Sequence, residues 1–210
     1  MSHQGALLRE IAYALRLYGK TLFAGIFMSK INKIHITGAS GSGTTSIAAR
    51  LATITGFTHL DTDDFYWHAT KPPFTAVREC RERQQLLLAA LTANTQWILS
   101  GSLCGWGDKF IPLFDLVVYV YVQNNTRIER IRKRELARYG ESILPGGVEY
   151  ERNRQFIAWA SAYDTSTEVS RNAFKHKQWL EKIACPVIEI NNHAECDEAV
   201  NFIVANISLP

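Results

Sequence analysis

Residues 36–46 read ITGASGSGTTS, and the reading of this stretch decides the fold. Ile34 to Thr37 is a short apolar run with the length and composition of a buried strand. From Thr44 to Thr55, Ile47, Ala48, Leu51 and Ile54 recur on one face of a helix. Between them lie Gly38, Gly41 and Gly43, which let the backbone curl and approach an anion. A strand, a glycine loop and a helix bring free backbone N–H groups and a positive helix end to one point, which suits a phosphate. The phosphate-loop pattern G-x-x-x-x-G-K-[ST] is met at Gly38, Gly43 and Thr45 but broken at Thr44, which stands in place of the lysine.

Threonine donates one neutral hydrogen bond where lysine would bring a charge to the terminal phosphates. Gly38, Ala39, Ser40, Gly41, Ser42, Gly43, Thr44 and Thr45 are therefore expected to bind phosphate, with the Thr45 hydroxyl on Mg2+. Binding should survive the missing lysine better than catalysis. A tight turn without a ligand is the plain alternative. An NAD(P)-binding oxidoreductase is another, because Asp61 has about the spacing of a ribose-binding acid. That alternative needs glycine at Ser46 for G-x-G-x-x-G, or at Ser42 for T-G-x-x-x-G-x-G, and the chain has no Y-x-x-x-K.

Outward from the loop, strand and helix patterns alternate. "FTHLDTDDF" is a short strand ending in acids, and "PPFTAVRECRERQQLLLAALTA" opens with prolines and becomes a helix. "WILSG" and "FDLVVYVYV" read as strands, and "NNTRIERIRKRELARYG" as a capped basic helix stopped by Gly140. Glu149 to Leu180 reads as helical in two pieces, "CPVIEI" as the last strand and Asp197 to Ile207 as a closing helix. The expected fold class is α/β, a parallel sheet with helices on both faces.

The 210 residues suit one domain, expected over 31–210 behind an N-terminal extension of residues 1–30. In that extension Leu7, Leu8, Ile11, Leu15, Tyr18 and Leu22 recur at helical spacing, and Met28 is an alternative start. A net charge of +3 suits a small anionic substrate but is too mild to argue for nucleic acid. No apolar run reaches the roughly 18 residues of a membrane span. The four cysteines, Cys80, Cys104, Cys185 and Cys196, are scattered as in a reduced cytoplasmic protein, and the six histidines form no ligand pattern.

Alternation along an extended segment would put Asp61 and Asp63 on one side, facing the loop, with Asp64 turned away. There they could hold Mg2+ or take a proton from a substrate hydroxyl. On the basic helix Arg127, Arg130 and Arg134 share a face that could contact a triphosphate in place of the lysine. The bland reading is a solvated basic face balanced by Glu129 and Glu135. Trp67, Phe74 and Trp106 could stack on a base or simply pack, while Trp97, Trp159 and Trp179 read as packing residues.

Taken together, "GASGSGTT", "LDTDD", "LSGSLCGWGD" and the arginine helix ending in "RYG" resemble the P-loop small-molecule kinases of the adenylate kinase and shikimate kinase type. The chain most closely resembles uncharacterised bacterial proteins of the adenylate kinase-like or AAA-family ATPase kind. The resemblance runs from Lys33 to the C-terminus and implies a five-stranded parallel sheet, a helical acceptor region and a lid. It implies transfer of the ATP γ-phosphoryl group to a small acceptor, with a catalytically weak nucleotide-binding module as the alternative. It assigns Thr45 and Asp61 to Mg2+, Asp63 to the acceptor hydroxyl, Arg78 and Ser102 to acceptor binding, and Arg130 and Arg134 to the transferring group. Tyr139 to Gly147 would be the lid, and Ser100 replaces the acid that nucleotide kinases carry after their third strand.

Overall fold

A computed structural model describes residues 30–192 and 196–207. The helical spacing seen in residues 7–22 and the alternative start at Met28 lie outside the described residues. Five strands form one parallel sheet: β1 (Lys33–Gly38), β2 (Thr58–Asp61), β3 (Trp97–Ser100), β4 (Leu116–Tyr121) and β5 (Val187–Asn191). Their order is β2-β3-β1-β4-β5, so the loop-bearing strand is central. The helices are α1 (Thr44–Thr55), α2 (Thr62–Tyr66), α3 (Cys80–Ala93), α4 (Asn124–Tyr139), α5 (Tyr150–Ser161), α6 (Ala173–Leu180) and α7 (Cys196–Ala205).

Strand alternation sorts the core into two layers. Ile34, Ile36, Ile98, Val118, Val120 and Ile190 face α1 and α7, which contribute Ile47, Leu51, Val200 and Ile203. Trp97, Leu99 and Val117 point the other way, toward Leu87 and Leu91 of α3 and Trp179 of α6. A smaller cluster joins α4 to α5 through Ile128, Ile131 and Ala160, with Trp159 packed against it. Two polar residues of β1 also enter the second layer. His35 is fully buried, stacked on Phe114 at 5.0 Å and bonded through Nδ1 to the Leu99 carbonyl at 3.0 Å. Thr37 meets His176 Nε2 at 2.9 Å, and His176 Nδ1 meets the Tyr163 hydroxyl at 2.8 Å. Burial lowers the pKa of His35 to about 4 and that of His176 to about 3, so both rings are neutral at pH 7.

Two local expectations are corrected. The extended segment stops at Asp61, so Asp63 lies in the first turn of α2 rather than beside Asp61 on a strand. Asp61 itself is the helix cap, its Oδ1 accepting from the Asp63 N–H at 3.0 Å. Arg78 lies ahead of α3, not within it. The Glu149 to Leu180 stretch does form two helices, with a 3-10 turn (Ala162–Asp164) and an irregular segment between them.

Candidate functional site

Parallel register sets the site. Ile36 pairs with Ser100, Ser100 with Asp61, and Gly38 with Val120, so the carboxyl ends of four strands finish together under the glycine loop. This is the edge at which open α/β sheets bind ligands. Gly41 and Gly43 have φ of 81° and 94°, conformations that glycine adopts without strain. At Gly41 the need is also steric, since an added Cβ would lie 2.6 Å from the Arg127 carbonyl oxygen. Gly43 directly precedes α1 and caps it with no side chain, so the N–H groups of that helix's first turn have no helical acceptors.

Two long-range contacts brace the loop. Asn192, just beyond β5, donates from Nδ2 to the Ser42 carbonyl at 2.8 Å. Arg127 is buried beneath the loop, donating to the carbonyls of Ser40 at 3.1 Å and Val122 at 3.2 Å and pairing with Asp164 at 2.6 Å. Its ring of acceptors makes it a support for the loop rather than an arm that reaches a ligand.

Thr45 and Asp61 meet at the mouth of the loop. The Thr45 hydroxyl donates to Asp61 Oδ2 at 2.8 Å, and the Ser100 hydroxyl donates to the same oxygen at 2.9 Å. His59 Nε2 lies 3.0 Å from the Ser100 hydroxyl and extends this network. Thus the serine that stands where an acid was sought holds Asp61 in place. A hydroxyl and a carboxylate side by side are hard oxygen donors of the kind Mg2+ takes, with water and phosphate completing its shell. Among the described residues no group of three or more His, Cys, Asp or Glu could hold a metal by itself.

Asp63, one helical step on, has its pKa raised, first by loss of water around the carboxylate and then by the charge of Asp61. Arg171 and Arg134 oppose the rise without cancelling it. Behind it the turn after β3 comes very close: at Gly101, with φ of 106°, an added Cβ would overlap the Thr62 hydroxyl. The Ser102 N–H donates to that hydroxyl at 3.1 Å, so Ser102 fixes α2 through its backbone.

A family model described as an AAA domain matches residues 34–154, more than half of the chain. The chain belongs to this AAA-domain family. A relative, the uncharacterized protein YqaC of Bacillus subtilis (strain 168), is 43% identical over 175 residues, covering 83% of this chain and 97% of its own. Among solved structures, shikimate kinase from Bacteroides thetaiotaomicron matches with a TM-score of 0.52 at 15% identity, over 83% of this chain and 97% of that one. Deoxyadenosine kinase from M. mycoides with bound dATP matches with a TM-score of 0.49 at 17% identity, over 82% and 97%. The family match and the shikimate kinase match together give this chain a P-loop small-molecule kinase-like fold, and at 15% identity the structural likeness is one of fold.

Within this AAA-domain fold the expected arginines are distributed unevenly. Arg78 is engaged locally, donating to the Trp67 carbonyl at 3.1 Å and pairing with Glu82 at 2.8 Å. Arg130 donates to the Asn192 carbonyl at 3.0 Å, and Arg134 pairs with Glu135 at 2.9 Å. Sequence reasoning did not single out two further arginines, Arg83 and Arg171. Arg83 of α3 covers the Tyr66 ring at 4.2 Å, with its Nε buried and unpartnered. Arg171, from the segment between α5 and α6, donates from Nη2 to the Ser40 hydroxyl of the loop. An Asn at 172 ahead of an apolar run is a helix-start signal, but nothing local marks Arg171 as a neighbour of Ser40.

Proposed function

We propose that this protein is an ATP·Mg2+-dependent kinase acting on a small hydroxylated acceptor. The observation that carries the proposal is the Thr45–Asp61 contact of 2.8 Å at the mouth of a glycine loop that runs into an uncapped helix N-terminus. The loop, residues Gly38 to Thr45, would hold the phosphates. Thr45 and Asp61 would hold Mg2+, which when bound neutralises charge on the phosphate oxygens. Asp63 would accept the proton of the acceptor hydroxyl, a role that its raised pKa favours. The acceptor oxygen then bonds to the γ-phosphorus as the bond from that phosphorus to the β–γ bridging oxygen breaks, and ADP leaves with that oxygen. Arg134, within electrostatic reach of Asp63, and Arg130 would stabilise the transferring group. Arg78 and Ser102 would orient the acceptor through the segments they brace.

Thr44 favours a second reading, a nucleotide-binding module with little turnover, because the loop itself lacks the charge that lysine brings. Calorimetry with Mg·ATP and Mg·GTP, followed by ADP-release assays over nucleosides, nucleotides and hydroxylated metabolites, separates the readings. Binding with turnover supports the kinase. Tight binding without turnover, with turnover gained in Thr44→Lys, supports the module. Binding of neither nucleotide sinks both.

A further inference from the structure

Arg171 occupies the position from which a charge could serve the loop. Its Nη2 donates to the Ser40 hydroxyl, 131 positions away in sequence, while its Nε is buried without a hydrogen-bond partner. The guanidinium lies 5.2 Å from the Trp159 ring. Asp63 is its foremost favourable charge partner, so the group stands between loop and acid. By contrast Arg127, also at the loop, is saturated by carbonyls and Asp164.

The segment that carries Arg171 is built to hold it there. Asn172 is fully buried, and its Nδ2 donates to the carbonyls of Thr167 at 3.1 Å and Val169 at 2.9 Å. Its Oδ1 accepts from the Lys175 N–H at 2.9 Å and caps α6. Trp159 Nε1 donates to the Ser170 hydroxyl at 3.2 Å. These bonds fix the backbone on both sides of Arg171, so little conformational freedom remains to be lost when an anion arrives. Guanidinium is the group suited to this task, since it carries a permanent charge and a planar set of donors that match phosphate.

We propose that Arg171 is the residue that supplies, from the α5–α6 segment, the positive charge on the terminal phosphates that the loop forgoes at Thr44. The proposal rests on the nucleotide reading given above. On binding, the Ser40 hydroxyl gives up Nη2 to a phosphate oxygen, and the unpartnered Nε gains an acceptor.

The test is calorimetry of ATP, ADP and AMP with Mg2+ on the wild type, Arg171→Gln, Arg171→Lys and the double variant Arg171→Gln/Thr44→Lys, with melting curves for each. The wild type binding no nucleotide overturns the nucleotide reading and this proposal with it. If the wild type binds, Arg171→Gln is expected to lose about tenfold or more in ATP affinity, a charged hydrogen bond's worth, with the loss shrinking from ATP to ADP to AMP. Arg171→Lys should keep part of the preference for ATP, and Thr44→Lys should restore it in the double variant. An unchanged ATP affinity in Arg171→Gln overturns the proposal while leaving the nucleotide reading intact. So does an equal loss for all three nucleotides without rescue by Thr44→Lys, which marks a role in the scaffold alone.

Discussion

In the proposed reaction, the chemistry concentrates in a single carboxyl group, that of Asp63. As the proposed general base it would have to be ionised, and its pKa lies above the ordinary 3.8 because water is excluded and Asp61 is near. Activity is therefore full above that raised value and falls as pH drops through it; the acid limb of kcat/KM, measured with a working acceptor, should lie above 3.8. Asp63→Asn should lower kcat by about 10²- to 10⁴-fold and leave the Kd for Mg·ATP almost unchanged. A parallel loss of both would assign Asp63 to nucleotide binding instead. The partnership of Thr45 with Asp61 was legible in the sequence, because loop spacing and strand length are local properties. The turn into a helix at Thr62 was less so: "LDTDDF" continues an alternating pattern, and only the capping bond from Asp63 to Asp61 shows that the strand has ended.

At the scale of elements, the glycine loop and the N-terminal half of α4 are packed and hydrogen-bonded together. Arg127 makes that bond, and its carbonyl is 2.6 Å from where a Gly41 side chain would begin. Gly41→Ala should cost about 1–3 kcal/mol through the strained φ alone, more from the clash, and should weaken Mg·ATP binding in parallel. Gly56, at the far end of α1, has φ of 75° but nothing within 4 Å of an added Cβ. Gly56→Ala should cost about 1–2 kcal/mol and leave nucleotide affinity unchanged. Urea unfolding and calorimetry on the pair separate strain in the loop from strain anywhere. The same element shows where sequence reasoning ran out. Arg127, Arg130 and Arg134 share a helical face by spacing, yet the first is buried, the second is held at the end of β5 and the third is exposed. Helical period assigns a face but cannot say how quickly that face leaves the core along the axis. Arg171 was harder still, since "TSTEVSRNAF" carries no periodicity and its contact with Ser40 is set by the whole fold.

For the molecule as a whole, the buried histidines set an acid limit. His35 and His176 bind protons at about 6.5 when unfolded but only near 4 and 3 when folded. Stability from this source is complete above 6.5 and is lost as pH falls toward the folded values, because only the unfolded chain takes up the protons. Each histidine should contribute a slope of about 1.4 kcal/mol per pH unit well below 6.5. Urea midpoints measured from pH 7 to 5 should fall, and His35→Phe should flatten that fall; an unchanged slope would remove His35 as a cause. The parallel sheet that buries these rings was legible from the alternation of strand and helix patterns. The rings' place in it was not, because a histidine's neighbours on β3 and α6 come from distant sequence. One bond has a consequence for how the protein is made. The loop is translated early, but Asn192, which latches it through the Ser42 carbonyl, follows the last strand. A nascent chain therefore carries an unlatched cradle until β5 has left the ribosome and joined the sheet. A ligand that bound only the finished cradle would stabilise completed chains and give no such help to those still being synthesised.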